Sequence, residues 1–505
     1  MVLIERCSRA VCGATLFVLL SAAAGAASAQ TEATLSLDEA LRLARQNNPE
    51  YLAAANDAGL ADWNVRAAYG ALLPGASLQG GLGYQGAGEQ RIGNITGRTS
   101  TDFYTSSYGI NLGYSLSGAE LFAPARERAN RRATLANIEA TRFTLESEVT
   151  RQYLAVLLAR DAVLLARQEL ERATENVRLA ESRVAVGAAI PLEQTQAEVE
   201  RGRAEVALLR AENDLRTQTL LLGQVIGVTL PQETELTTTF EVRDVPWESD
   251  ALVAAALDAN PVVRAARATE RAADAGVRMA RSAYFPSMNV SAGWSGFARQ
   301  AGNTELLVSQ ARNAAEDNIA SCNLLNQISA GLTQPLPNTP ADCGAFALTP
   351  AQEAAIRSEN DVFPFGFDRE PFGIQLGLSL PIFQGFERER QLEQARVFSA
   401  DAEQQVRAEE LRIRTDVERA LLNLRTARNA VVLEERNRAL ADEQLALERE
   451  RYRVGIASFL ELQEAETVKA RADREYLAAV YSFHQNLAAL EAAVGGPLRV
   501  NQGER

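Results

Sequence analysis

The chain has 505 residues, enough for two or more ordinary domains, and a net charge of −14 from 51 Lys plus Arg against 65 Asp plus Glu. That balance excludes a nucleic-acid partner held by its phosphates, which needs a basic surface. One histidine, four cysteines and no acid/His/nucleophile grouping leave metal centres and triad catalysis without their parts.

Taken from the start, Arg6 and Arg9 precede a charge-free run that ends in Ala27-Ser28-Ala29. This reads as a secretory signal over 1–29, cut before Gln30, with a retained membrane anchor as the alternative. No lipobox precedes Cys12. Beyond residue 29 no run of about 18 apolar residues remains, so no spanning helix is predicted. An amphipathic helix then leads to Asn48-Pro49. Two strands follow at about 76–85 and 108–117; in the second, Ile110, Leu112, Tyr114 and Leu116 share one face and Asn111, Gly113, Ser115 and Ser117 the other. GLGYQG, Gly81 to Gly86, matches a dinucleotide fingerprint, but it leads into a polar loop and no helix is predicted after it. Val149, Val156, Val163, Leu170, Val177 and Val184 then recur every seven residues, which predicts left-handed coiled-coil packing in one helix over 119–186. At 1.5 Å per residue that helix is about 100 Å long. It breaks at RVAVGAAIPLEQTQAE, Arg183 to Glu198, and returns over 191–226.

After a Thr/Pro-rich connector, 229–249, the plan repeats. Asn48-Pro49 recurs as Asn260-Pro261, and GINLGYSL from Gly109 as GIQLGLSL from Gly373 with six of eight letters identical. The turn recurs as RYRVGIASFLELQEAE, Arg451 to Glu466, with eight of sixteen identical, and Gly227 recurs as Gly495. The copies are 30–228 and 250–496, with a tail at 497–505. The second carries strands at about 286–296 and 372–381, a long helix 382–454 and a returning helix 459–494. Its heptad frame holds at Val417, Leu424, Val431, Leu445 and Tyr452 and fails at Arg438. About fifty extra residues lie in its loop, 297–371, with Cys322 and Cys343. In an exported chain these point to a disulfide, two free thiols being the alternative; closing that loop would contribute about 3 kcal/mol.

Strands apolar on one face and small and polar on the other fit a soluble sandwich or a membrane barrel. Four ten-residue strands, an export signal and no second sheet favour the barrel. Four strands leave open edges, which hydrocarbon does not tolerate, and barrels take at least about eight strands; a trimer would supply twelve. The fold class expected is therefore an α+β membrane protein: a homotrimeric 12-stranded β-barrel, four strands per protomer, continued by a long coiled-coil α-helical periplasmic barrel, with an internal tandem repeat.

The layout and the turn motif, Tyr452 with Val454-Gly455, then Leu460-Glu461 and Glu464, and Val186-Gly187 with Leu192-Glu193, resemble the TolC family of outer-membrane channel-tunnels over nearly the whole mature chain. NNP near the start and SLPIFQG, Ser379 to Gly385, also fit. The resemblance implies a homotrimer in the outer membrane with its helices in the periplasm, a periplasmic adaptor, and an inner-membrane pump of RND or ABC type serving efflux or type I secretion. It implies a periplasmic gate at Tyr452, Glu193, Glu461 and Glu464, and adaptor-contacting helix tips at Gly187, Gly455, Val186 and Val454. A solvated face for the glutamates, core packing for Tyr452 and plain turns for the glycines are the alternatives. A ring of such carboxylates would repel and raise some of their pKa values. Where family members can carry an arginine two residues after the second glycine this chain has Ala457, so closure would rest on packing and Tyr452. No cofactor is expected: His484 stands alone, and Met279 and Met288 make no soft-metal relay. A trimeric coiled-coil adhesin and a periplasmic scaffold are the rival functions.

Overall fold

The computed structural model describes residues 34–92, 95–231, 234–334 and 336–498. The expected signal segment and residues 499–505 of the expected tail lie outside the described residues. In chain order, β1 (Thr34–Leu35), α1 (Leu37–Asn47) and α2 (Pro49–Gly70) precede four strands, β2 (Gly75–Gln85), β3 (Gly88–Ile92), β4 (Ile95–Ser100) and β5 (Phe103–Leu116). Helices α3 (Gly118–Ala185) and α4 (Pro191–Ile226) complete the first copy. The second copy follows β6 (Glu235–Leu236) and runs α5 (Ser249–Ala259), α6 (Pro261–Arg281), β7 (Ser287–Ala301), α7 (Glu305–Ala330), α8 (Pro350–Glu359), β8 (Asp368–Arg369), β9 (Gly373–Ser379), α9 (Glu387–Arg453) and α10 (Phe459–Val494).

The chain divides into two compact units. The described residues of one fall in Met1–Pro49, Leu145–Val245 and Leu424–Ala488; those of the other fall in Glu50–Thr144, Pro246–Asn423 and Ala489–Arg505. The first unit holds the parallel pair β1–β6 and a core in which Val149, Val156, Tyr153, Leu222 and Ile226 are buried. Each fully buried Leu or Val there contributes on the order of 1.5–3 kcal/mol. The heptad residues of α9 in this unit, Leu424, Val431, Leu445 and Tyr452, are likewise buried.

The second unit holds the sheet, ordered β2–β5–β7–β9, with β8 extending the β9 side of β7. The antiparallel register aligns like with like across it. One face carries the rows Leu78–Ile110–Trp294, Leu112–Ala292–Ile374, Tyr114–Val290–Leu376 and Leu116–Met288–Leu378. The other carries Ser77–Asn111–Gly293 and Gly113–Ser291–Gln375. Period-two alternation and register together produce this segregation.

The repeat is also visible in how helices end. Where one opening helix is expected in each copy, Asn-Pro splits it in two, because proline cannot supply the amide that would continue the ladder. The Asn48 amide donates to the Val225 carbonyl at 2.8 Å, and Asn260 donates to Ala493 at 2.9 Å. Beside each lies a glycine with positive φ, Gly227 at 85° and Gly495 at 91°. A Cβ on Gly227 would lie 2.4 Å from the Asn47 oxygen, and one on Gly495 2.6 Å from the Asn260 Cα.

Several boundaries differ from those expected. The second long helix begins at Glu387, not 382, because Pro381, Gly385 and Phe386, the last two with positive φ, first turn the chain. Arg388 caps that turn, donating to the carbonyls of Pro381 at 2.7 Å and Ile382 at 2.9 Å. Strands β5 and β7 reach further than alternation indicated, to Phe103 and Ala301, since their polar ends still pair. The segment 297–371 carries helices α7 and α8, and Cys322 is joined to Cys343 with Cα atoms 5.7 Å apart. After GLGYQG the next element is strand β3.

Candidate functional site

Both repeated turn motifs adopt one geometry. Gly187 (φ 72°) and Gly455 (φ 82°) stand just past the ends of α3 and α9, where backbone amides fold back onto the last carbonyls. Ala188 donates to Arg183 at 2.8 Å, and Ile456 donates to Arg451 at 2.8 Å. A Cβ on Gly187 would meet nothing within 4 Å, and one on Gly455 only the Arg183 guanidinium at 3.9 Å. The left-handed conformation, not lack of space, therefore selects glycine. Pro191 opens α4, where its missing N–H costs nothing.

Between the two turns lies Tyr452, 1% exposed. Its hydroxyl donates to Glu193 Oε2 at 2.8 Å, joining the last turn of α9 to the first turn of α4. Phe459 meets its ring edge-on with centroids 5.8 Å apart. Arg183, at the end of α3, lies 4.2 Å from the ring centroid. That guanidinium also donates to the Tyr452 carbonyl and, at 3.2 Å, to the Ala188 carbonyl. Burial pushes the Tyr452 phenol up to about 12, and the hydrogen bond to the Glu193 carboxylate adds to the shift.

The other expected gate residues are placed differently. Glu461 turns back on its own helix: its carboxylate accepts from the Ser458 amide at 2.7 Å and hydroxyl at 2.9 Å, while the Glu461 amide donates to Ser458 Oγ at 3.3 Å. This is a capping box. Those bonds hold its pKa below the ordinary carboxylate value. Glu464 lies exposed one turn further along α10. Val186 and Val454 are exposed, as are Leu192, Ile456 and Leu460. Ala457 is buried against Tyr452 and Phe459.

Arg183 was absent from the expected site. The signal was present, since it is the first letter of the repeated motif, but only the fold brings it to Tyr452, 269 residues away. In this chain a guanidinium reaches the second turn from the first copy, where Ala457 leaves that position without one.

Higher along the same helices, α3, α4 and α10 enclose a cavity of about 290 Å³ whose lining mixes Glu169, Glu200 and Glu466 with Arg172, Arg203 and Arg474. Burial raises the Glu169 carboxyl above its ordinary value, against the pull of Arg474 and Arg172. Among the described residues no group of three His, Cys, Asp or Glu side chains is arranged to hold a metal ion. No described helix is long and apolar enough to cross a membrane.

The model of the outer membrane efflux protein family matches residues 40–228 and 353–496. The cobalt-zinc-cadmium resistance protein CzcC of Cupriavidus metallidurans is 28% identical over 265 residues, 51% of this chain and 58% of that protein. The pyoverdine export outer membrane protein OpmQ of Pseudomonas aeruginosa is 30% identical over 264 residues, 49% of this chain and 55% of that protein. The match thus spans little more than half the length of these relatives. The CmeC outer membrane channel of Campylobacter jejuni shares the fold, with a TM-score of 0.68 at 16% identity, over 91% of this chain and 85% of that one. On the extent of the family match, this chain belongs to the outer membrane efflux protein family.

Proposed function

We propose that three copies of this chain close a shared 12-stranded barrel in the outer membrane and form a passive duct with their helices in the periplasm. The observation that carries this reading is the sheet. Its apolar rows are open to solvent, with Leu78 77%, Ile374 70% and Leu378 76% exposed, and among the described residues strands β2 and β9 each have one edge without a partner strand. Hydrocarbon on the apolar face and a neighbouring copy on each edge satisfy both features at once.

The helix tips are the proposed periplasmic mouth. Exposed Val186 and Val454 beside Gly187 and Gly455 would meet a periplasmic adaptor, which couples the duct to an inner-membrane pump of RND or ABC type. Tyr452, Glu193 and Arg183 hold the two hairpins of one protomer together there, Glu464 faces the opening, and Glu461 maintains the start of α10. The cargo class is small molecules or secreted polypeptide; energy comes from the pump, and the duct performs no chemical step. The Cys322–Cys343 clip keeps the exit loop folded.

Single-channel recording in a planar bilayer tests this. Purified protein should give small, cation-selective steps, Tyr452→Phe/Glu193→Gln should enlarge them, and Glu464→Gln should weaken the selectivity. Folded, membrane-inserted protein that never conducts would overturn the duct.

A further inference from the structure

Of the 51 Lys and Arg residues only one, Lys469, is a lysine, and it is 5% exposed. It lies on α10, about 15 Å along the helix from Phe459. Its ammonium is 2.5 Å from Asp473 Oδ1 and 2.7 Å from Asp442 Oδ1 on α9. Asp473, itself 5% exposed, also accepts from Arg438 Nε at 2.9 Å, and Arg172 of α3 lies 3.9 Å from its second oxygen. Arg438 is the position at which the apolar heptad of α9 fails. Three residues before Lys469, Glu466 takes Arg449 at 2.9 Å, Arg172 at 3.5 Å and the Asn176 amide at 3.2 Å. Acids of α10 thereby hold both α9 and α3.

Apolar residues at 438 and 469 would pack this coil at least as stably, since buried ions lose hydration that their pairing only partly returns. What the ions add is a tie that fails only when several charges reach water together. A compact ammonium with three donors suits a point between two carboxylates; a planar guanidinium spreads its donors over a wider fork.

We propose that the Lys469 cluster is a second clamp on the duct. It ties α10 to α9 and α3 about three helical turns beyond the Tyr452–Glu193 contact. The tips can then loosen while the helices above them stay together. The clamp's role in conduction rests on the duct reading; the tie itself does not.

Because Lys469 is the sole lysine, acylation of the full chain in vesicles by a small succinimidyl ester, followed by mass spectrometry of the peptide that carries it so that the terminal amine is counted apart, reports its exposure. Arg178→Lys, at a side chain 70% exposed, introduces a reference amine. Lys469 should react at least about tenfold more slowly than that reference, as expected of a site that opens rarely. It should stay as slow in Tyr452→Phe/Glu193→Gln, while conductance rises. Adding Arg172→Gln/Glu466→Gln, which neutralises both members of one pair, should speed acylation several-fold and enlarge the conductance step again. Arg172→Gln alone serves if that variant fails to assemble. Fast acylation after release of the tip alone, or no change when the Arg172–Glu466 pair is removed, would overturn the clamp. Silence of every protein in the bilayer, with Lys469 still protected until that pair is removed, would overturn the duct and leave the tie standing.

Discussion

At the turn, one phenol meets two demands: its ring must be buried and its hydroxyl must keep a partner. Glu193 supplies the acceptor and Arg183 covers the ring, so the contact joins the two copies of the repeat within one chain. Tyr452→Phe removes a hydrogen bond to a charged acceptor and should cost about 1.5–3 kcal/mol, read by thermal unfolding. The raised phenol pKa fixes the sign of the pH dependence. Its stabilisation is complete below the ordinary tyrosine value near 10 and is lost as pH rises through about 12. The difference between ultraviolet titrations of wild type and Tyr452→Phe should therefore show one tyrosine ionising near the top of that window. Gly187→Ala and Gly455→Ala place a Cβ on a left-handed residue and should each cost about 1–2 kcal/mol. Faster proteolysis confined to the substituted turn would show it. The glycines, the proline and the tyrosine of this site were legible in the repeated motif. The duty of Glu461 was less so: Ser458 three residues before it is the capping signature, and it competes with any reading that sends the carboxylate to an axis.

Among the elements, the strands and long helices follow from period. Alternation of two assigned the apolar face of β5, β7 and β9, and pairing then aligned those faces in continuous rows. Leu376→Arg puts a charge on the proposed lipid face and should cost about 2–4 kcal/mol near the bilayer centre. Gln375→Arg, one residue away on the other face, should be tolerated. Yield of heat-resistant oligomer from membranes separates the two, and equal loss would count against the assigned faces. The late start of α9 was not legible, because it depends on two positive-φ residues and on Arg388 holding the carbonyls of Pro381 and Ile382. The fold within 297–371 was not legible either, as α8 shows. α8 is short, and its capping box at Thr349 and Gln352 lies within a stretch whose Gly, Asn and Pro content reads as loop.

For the whole molecule, the edges of β2 and β9 have no partner strand among the described residues, which makes a single chain incomplete as a barrel. Native mass spectrometry from mild detergent should release a species of three 54.7 kDa chains, shortened by any leader removed on export. A stable monomer that still conducts would sink the shared barrel. The duplication was visible as spaced letters, and the structure gives those letters a mechanical meaning. Asn48 with Gly227, and Asn260 with Gly495, close the end of the last helix in each copy against the Asn-Pro break of the first.

The sequence by itself determined what depends on neighbours along the chain: helix and strand periods, turn glycines, the export signal as an expectation, and the two copies. Only the tertiary structure decided which side chains from distant segments share a space. It brought Arg183 to Tyr452, placed Glu193 under its hydroxyl, and gathered Lys469, Arg438 and Arg172 on Asp473. The physical reason is range. Backbone period and caps act over a few residues, whereas a buried charge or phenol is satisfied by whichever partner the packing of long helices delivers.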